Sequence, residues 1–541
     1  MPTINLNKWV LQSLTKLNEQ ELQDFLFRLK SEVSPINQDD YSIEVNADRL
    51  DMLSLGGIVR AIKGISDQEI GEPKYKTSET DYVLEVDRVP SRPYALACVI
   101  KNAKLSPEFY LKELIQFQEK LHDTIGRRRK KVAIGIHDLK KVEGKIIKYT
   151  LVPLSTTFVP LNQQTEMTVG QTLKETQQGK AYGGISVFNG QSPAIMDEKG
   201  ILSLPPVINS DRTKISVETD SLLIDVTGTN FDSVVQTMDL IATGMAELGA
   251  EIGIVKIKGM DSEFSPLMKH TEVIANLNDI MNRLGISING DDVIKLLRRM
   301  RMEAELQDDK IKVTVPPYRV DIMNYTDIAE DIAMAYGYDN FQLNSAITRG
   351  QGSLSENSLL YRKLRSLLIG AGYTEVYTLI LTKSGNQRGD FVQIRNPISV
   401  EYDSVRNSLV WSALAFLSNN QHSRFPIKIF EIGDVVIKDD KSDTLHSNEP
   451  RLVVAMMDSR VSYEMIQAPL HEVLFNLTGI TPSYIKSENE LLIKGRSAEI
   501  SLKGKKLGII GEVSPEVLEK YNLLYPVLLA ELNLNTLKEA L

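Results

Sequence analysis

The stretch 316–340, PPYRVDIMNYTDIAEDIAMAYGYDN, sets four carboxylates around one turn-and-helix unit. Asp321 lies in the turn. Asp327, Glu330 and Asp331 follow on a predicted helix, where spacings of three and four residues bring them to one face. Ile328, Ile332 and Ala335 fall on a neighbouring apolar stripe that can face a core. Acids gathered on one face repel, and three things can compensate: the positive end of the helix dipole, the guanidinium of Arg319, or a hard divalent cation that takes carboxylate oxygens and keeps several waters. Two readings fit the string. In one, Pro316 and Pro317 stop a strand, Asn324 caps the helix with Asp327 at its third position, and Gly337 closes it with a left-handed turn, so the acids are a solvated first turn. In the other they hold a metal ion.

Working outward, two helices over 272–284 and 291–300, a hairpin turning at Asp308-Asp309 and the acidic helix make a winged-helix-like module at 267–344. The polar, glycine-bearing segment 345–358, SAITRGQGSLSENS, is the best linker in the chain. Beyond it, a helix over 359–371 and strands at 427–432 and 507–510 predict an α+β domain over 345–541. Towards the N-terminus, strands at 82–86, 95–100, 131–136, 185–188 and 222–226 alternate with helices, one of them over 107–124 with Leu111, Leu114, Ile115, Gln118 and Leu121 at helical spacing. A mixed α/β domain is predicted there, over 79–266. Residues 1–78 read as a small α+β domain. Its helix over 21–30 starts near Asn18, a short strand covers 43–45, and Gly56-Gly57 precede a second helix. Arg49, between Asp48 and Asp51, is placed for a local ion pair. The fold class is therefore multidomain α+β.

With 541 residues the chain exceeds the about 250–300 at which single cores stop growing, so several domains are required. Hydrophobic content of 42% and charged content of 25% exclude general disorder. The one cysteine, Cys98, excludes an intramolecular disulfide and a cysteine-rich zinc site, and it fits a reducing compartment. No run of about 18 apolar residues occurs, and MPTINLNKWV lacks the plan of a secretory signal, so a cytoplasmic protein without membrane contact is expected. A net charge of −9 argues against indiscriminate nucleic-acid binding, because affinity for a polyanion comes largely from phosphate neutralisation. Any RNA contact must use local basic patches. The candidates are Arg127-Arg128-Arg129-Lys130-Lys131, then Lys295 with Arg298, Arg299 and Arg301, and Lys503 with Lys505 and Lys506; each can equally be a solvated face.

R-x-D-I followed by D-x-x-E-D and A-x-x-Y-G-Y, in 319–338, resembles the magnesium-binding segment of the β subunit of phenylalanyl-tRNA synthetase. IEVNADRLDMLSLGGIVRAIKG at 43–64 is similar to that family's N-terminal motif, and LPPVINS at 204–210 with IDVTGTN at 224–230 to its large central domain. The matches fall in the family's order and span most of the chain, and its length resembles the shorter archaeal and eukaryotic type. Ala47 and Leu50 stand where the family usually has prolines, and Asn324 where many members have histidine. Neither departure removes a carboxylate.

The resemblance implies Asp321, Asp327, Glu330 and Asp331 as ligands of Mg2+, an α subunit as partner in an α2β2 heterotetramer, and phenylalanine tRNA as the RNA bound. It implies that ATP and phenylalanine bind at the α subunit, and that 345–541 is a class II synthetase catalytic-like antiparallel sheet domain. No catalytic residue for synthesis is expected in this chain. Class II chemistry needs arginines that stabilise phosphoryl charge, whereas GIIGEVSPEV at 508–517 holds none and none directly precedes the acid of the 430–434 segment. The central domain resembles the family's editing domain, which removes tyrosine wrongly attached to the tRNA; a second site can select the extra hydroxyl by hydrogen-bonding it. Asp225 and Thr227, projecting to one side of a strand, are candidate polar walls, with Ser203 and Asn209 as further donors or acceptors. The same residues also read as a strand end and turn before Gly228. His137-Asp138 would suit a hydrolytic base, but no serine or cysteine nucleophile is placed by motif. A scaffold paralogue without editing and a free-standing hydrolase of misacylated tRNA are the alternatives.

Overall fold

The computed structural model describes residues 2–343, 345 and 350–541. The chain divides into two compact units, Met1–Ser345 and Ala346–Leu541. Residues 346–349 of the predicted linker lie outside the described residues.

In the first unit, Thr3–Asn7, Asp40–Glu44 and Glu32–Pro35 form an antiparallel sheet with Asp40–Glu44 in the middle. The helix Glu19–Arg28 begins at Asn18, whose side chain accepts from the Glu21 N–H while the Glu21 carboxylate accepts from the Asn18 N–H. That reciprocal cap fixes the start and turns Leu22 and Leu26 into the core. Arg49 does pair with Asp51, through two bonds of 2.8 and 2.9 Å, and both are buried.

A ten-stranded sheet dominates this unit. Ser221–Gly228 runs antiparallel to Tyr94–Lys101 on one side and Val132–Asp138 on the other, and parallel pairing is confined to Thr77–Val86 with Glu251–Lys258 and with Ile146–Pro153. Val132–Asp138 and Ile208–Asn209 are the two ends of the strand order. The sheet curls until these ends meet, and Asn209 Nδ2 donates across the seam to Ile136 O at 3.2 Å. The helix Glu108–Asp123 lies beside the seam, with Gln118 Nε2 donating to Ile134 O at 2.8 Å.

Two predicted elements take other forms. Residues 185–188 are not a strand: Asn189 and Gly190, at φ 48° and 74°, make a two-residue turn closed by reciprocal Phe188 and Gln191 backbone bonds, and the strand starts only at Gln191. The helix predicted over 272–284 is a strand, Thr271–Asn276, followed by the shorter helix Leu277–Leu284. Hydrogen bonding to Lys310–Val315 decides the first half, and Asn276 caps the second by accepting from Asn278 N–H. Gly290–Arg299, the hairpin of Glu303–Gln307 with Lys310–Val315 turning at Asp308-Asp309, and the helix Tyr325–Tyr336 follow as predicted.

The second unit is a seven-stranded sheet, antiparallel except where Thr374–Glu375 joins Ile427–Lys438. Alternation along His446–Met457 explains its two cores. Leu452, Val454 and Met456 pack with the helices Glu356–Gly370, Glu464–Thr478 and Leu534–Ala540, while Val453, Ala455 and Met457 pack with Leu409–Asn419 and Pro515–Lys520. Among the described residues no helix is long and apolar enough to cross a membrane.

Candidate functional site

The seam of the large sheet encloses a cavity of about 310 Å³, walled by Ala133–Ile136, by the run Ser203–Asn209 and by Ile115, Gln118 and Glu119 of the adjoining helix. Asp225 reaches it from the middle of its strand. Gly135 stands opposite Asp225 in the register, and a Cβ added there would lie 2.0 Å from Asp225 Oδ2, so the missing side chain is the space the carboxylate occupies. Asp225 Oδ2 faces His137 Nε2 at 3.0 Å and accepts from Ser203 Oγ at 3.5 Å, a long contact; His137 Nδ1 lies 2.8 Å from Thr213 Oγ1. His137 is completely buried and Asp225 is 2% exposed. The site thus offers one buried carboxylate, held by His137, in the wall of the cavity.

Of the four pocket residues expected from sequence, Ser203, Asn209 and Asp225 line the cavity, and Thr227 does not. Thr227 is instead held by Arg92, whose Nε donates to the Thr227 hydroxyl and whose Nη2 donates to its carbonyl, both at 2.8 Å. Asp138, the sequence neighbour that made His137 attractive, instead caps Lys140 N–H and accepts from Thr219. Sequence reasoning missed Gly135 and the His137–Asp225 contact. The signal was there for the first, since a glycine inside the otherwise apolar strand VAIGIHD marks a close approach.

Arg129 and Glu119 form the rim. Arg129 Nη2 donates to Glu119 at 2.7 Å, its Nη1 donates to Val207 O at 3.1 Å, and its guanidinium stacks over Tyr182 with 4.7 Å to the ring centroid. Burial would raise the Glu119 carboxyl, but His122 and Arg129 hold it below the ordinary range. Burial lowers His122 and keeps it neutral; because its Nε2 accepts from Ile134 N–H at 2.9 Å, its proton sits on Nδ1, towards Glu119. Arg127, Arg128 and Arg129 have φ of 48°, 53° and 63°, three successive non-glycine residues in the left-handed region. Each such residue costs roughly 1–2 kcal/mol. The turn is held by Arg127 N–H to Thr124 O, Arg129 N–H to His122 O and Lys131 N–H to Gly126 O, and by Arg92 Nη1, which donates to the carbonyls of Arg129 and Lys130. Arg92 thereby ties the turn to the strand that carries Asp225.

The acidic helix is capped as the sequence allows. Asn324 Oδ1 accepts from Thr326 N–H, and Asp327 Oδ2 accepts from Met323 and Asn324 N–H at 2.7 and 2.9 Å. Gly337 ends the helix at φ 93°. Arg319, 3% exposed, donates to both oxygens of Asp321 and lies 2.7 Å from Asp331 Oδ2. That last contact is close but poorly aligned, and Asp331 Oδ2 has no satisfactory hydrogen bond. Burial raises the Asp331 carboxyl above its ordinary range against the pull of Arg319. Glu330 turns outward to Lys30, 2.7 Å away, which also meets Asp48 at 3.2 Å. The four carboxylates expected to hold Mg2+ are therefore engaged separately by a helix cap, a buried guanidinium and a surface ammonium. Among the described residues no three acidic, histidine or cysteine side chains are gathered to hold a metal ion, and as they stand these four do not fit one.

In the second unit the buried acids Glu431 and Glu531 of the sheet are already paired. Glu431, fully buried, accepts from Arg406 at 2.7 Å, and Glu531 accepts from Arg451 at 2.8 Å and from Leu409 N–H at 2.7 Å. Sequence reading looked for an arginine within 508–517 and directly before the acid of the 430–434 segment, and so did not find these partners.

Family models match three stretches: a B3/4 domain at 86–243, a tRNA synthetase B5 domain at 273–338 and the phenylalanyl tRNA synthetase beta chain CLM domain at 344–534. Together these are the parts of an aminoacyl-tRNA synthetase subunit. The chain is 69% identical over 541 residues to the phenylalanine–tRNA ligase beta subunit of Metallosphaera sedula, covering all of both chains. It is 50% identical over 550 residues to that of Saccharolobus solfataricus, covering 100% of this chain and 99% of the relative. An N-terminal fragment of the phenylalanyl-tRNA synthetase beta subunit from Pyrococcus horikoshii superposes with a TM-score of 0.60 at 31% identity, over 62% of this chain and 100% of the fragment. The chain belongs to the phenylalanine–tRNA ligase beta subunit family, and as such is a component of a ligase that joins phenylalanine to tRNA.

Proposed function

We propose that the chain assembles with a catalytic α subunit as an α2β2 heterotetramer, supports ATP-dependent attachment of phenylalanine to its tRNA in the cytoplasm, and hydrolyses tyrosine wrongly attached to that tRNA in the cavity at the sheet seam. The four-part division at 78/79, 266/267 and 344/345 goes with this reading. The observation that carries it is Asp225: a buried carboxylate, held by His137, in the wall of a largely apolar cavity at the small end of the size range of ligand sites. Such a carboxylate accepts a hydrogen bond from the phenolic hydroxyl of tyrosine and has nothing to accept from phenylalanine. Hydrolysis then adds water across the ester between the amino acid carboxyl and the terminal ribose, with the water held by substrate and backbone; His137 serves to hold Asp225.

A hydrogen bond to a charged acceptor is worth about 1.5–3 kcal/mol, so Asp225→Ala should lower kcat/KM for deacylation of tyrosyl-tRNA by the assembled enzyme about ten- to a hundredfold. Phenylalanine charging should be largely spared. Equal deacylation rates would place Asp225 outside the pocket. A wild-type complex that clears no tyrosyl-tRNA would favour the non-editing scaffold, and full deacylation by the chain without α would favour the free-standing hydrolase.

Magnesium binding by Asp321, Asp327, Glu330 and Asp331 is kept for the assembled enzyme alone, because it requires a change of partners, above all release of Glu330 from Lys30. The assembled enzyme should then show a melting shift with Mg2+ that Glu330→Gln with Asp331→Asn diminishes, and the free chain should show none. A shift untouched by the double substitution would leave the acids as cap and ion-pair partners.

A further inference from the structure

The turn at 127–130 answers a question that the cavity leaves open. A cavity that takes an aminoacyl group joined to a terminal ribose has the phosphates of that RNA strand lying just outside its mouth. The chain carries a net charge of −9, so those phosphates need local cations. Arg129 is at once a wall of the cavity and a member of the left-handed turn. Its neighbours Arg128 and Lys130 are one residue, about 3.8 Å of backbone, away from that wall. Arg127, Arg128 and Lys130 are exposed, and none has an ion-pair partner among the described residues, whereas Arg129 is committed to Glu119 and Val207 O. A loop that only needed solvation would carry glycine or asparagine in three successive left-handed positions, because those residues adopt this conformation readily. Here arginine fills all three. The turn is also braced by backbone bonds to His122, Thr124 and Gly126 and by Arg92, and Arg92 reaches the strand bearing Asp225 through Thr227.

We propose that Arg127, Arg128 and Lys130 are the phosphate-binding rim of this cavity, a preset cationic turn that takes the backbone of the single-stranded 3′ end of tRNA and delivers its aminoacyl group to Asp225. The inference rests on the hydrolytic reading of the cavity. Arg129 fixes where the turn meets the cavity, and the three exposed cations supply the charge.

The test compares the assembled wild-type enzyme with the variant Arg127→Gln, Arg128→Gln, Lys130→Gln in deacylation of tyrosyl-tRNA, at several salt concentrations between about 50 and 200 mM. The triple variant should raise KM about tenfold at the lower salt with kcat little changed, and its plot of log KM against log salt should be shallower by about 2, as loss of three single-strand phosphate contacts requires. Arg127→Lys with Arg128→Lys keeps the charge and should keep KM near wild type. Unchanged KM and salt slope in the glutamine variant, with wild-type deacylation intact, would overturn the rim while leaving the hydrolytic reading standing. So would lysine variants as impaired as the glutamine ones, since charge would then not be what the turn contributes. A wild-type enzyme without deacylase activity would overturn the hydrolytic reading and the rim together.

Discussion

Gly135 and Asp225 show what a single residue decides at the cavity. The carboxylate occupies the volume that a side chain on the facing strand would fill, since a Cβ at Gly135 would sit 2.0 Å from Asp225 Oδ2 and 3.0 Å from His137 Nε2. His137 has little room to retreat, because it is anchored at its far nitrogen by Thr213. Gly135→Ala should therefore displace Asp225 rather than the alanine, and a displacement of about 1 Å in a positioned group can lower a rate about a hundredfold. The check is deacylation of tyrosyl-tRNA against phenylalanine charging in the same preparation: the first should fall and the second hold. Equal loss of both would point to a misfolded domain. At this scale the sequence was legible where one residue's chemistry was enough. It singled out Asp225, Ser203 and Asn209, all on the cavity wall, and Thr227, which strand alternation puts on the same side as Asp225 but which is held by Arg92, a partner that strand alternation cannot show.

At the scale of elements, local rules held wherever they had no competitor. Asn18, Asn324 and the Asp308-Asp309 turn behaved as their side chains dictate. Thr271–Asn276 did not, because its sequence tolerates either helix or strand and the neighbouring strand Lys310–Val315 supplied the hydrogen bonds that settled it. The acids of the segment 316–340 carry the same lesson. The N-terminal end of the helix, through the Asp327 cap, and Arg319 both compensate them, and a further partner, Lys30, lies 300 residues away. Another long-range device of this kind holds the start of the helix Leu55–Ile65. The buried Glu113 carboxylate accepts from Leu55 N–H at 2.6 Å, and burial, outweighing that bond, pushes its pKa up to about 7. Asp239, which accepts from Met268 N–H, is pushed up to about 7 by burial as well. A carboxyl raised in the folded state binds more protons folded than unfolded, so unfolding free energy should fall as pH rises from about 4.5 to 7, then level off. For Glu113 the full span is about 3 kcal/mol. Glu113→Gln keeps the acceptor and removes the titration, so its melting temperature should decline less between those pH values than that of the wild-type chain, with Asp239 supplying the remaining slope. Parallel pH profiles for the two proteins would show that Glu113 is not protonated in the fold.

At the scale of the whole molecule, composition and length gave several domains and an acidic surface, and the order of motifs gave the family, but nothing local could show that a ten-stranded sheet closes on itself to make a cavity. Contacts between residues far apart in sequence create that seam, and they also explain the second unit. Its sheet is layered and almost wholly antiparallel, and its buried acids are used up: Glu431 is bound to Arg406 and Thr378, and Glu531 to Arg451, Ser408 and Leu409 N–H. Phosphoryl transfer needs the opposite arrangement, with arginines free to meet charge that develops on substrate oxygens. Freeing Arg406 would leave Glu431 buried without its counter-ion, a loss of about 3–5 kcal/mol that ATP binding would have to offset before any chemistry began. The purified chain without its α subunit should accordingly show no phenylalanine-dependent exchange of pyrophosphate into ATP, and addition of the α subunit should bring the activity up. Exchange by the α-free chain, persisting after Glu431→Gln frees the guanidinium and scaling with neither contaminating α nor added α, would mean that this sheet carries a working synthetic site after all.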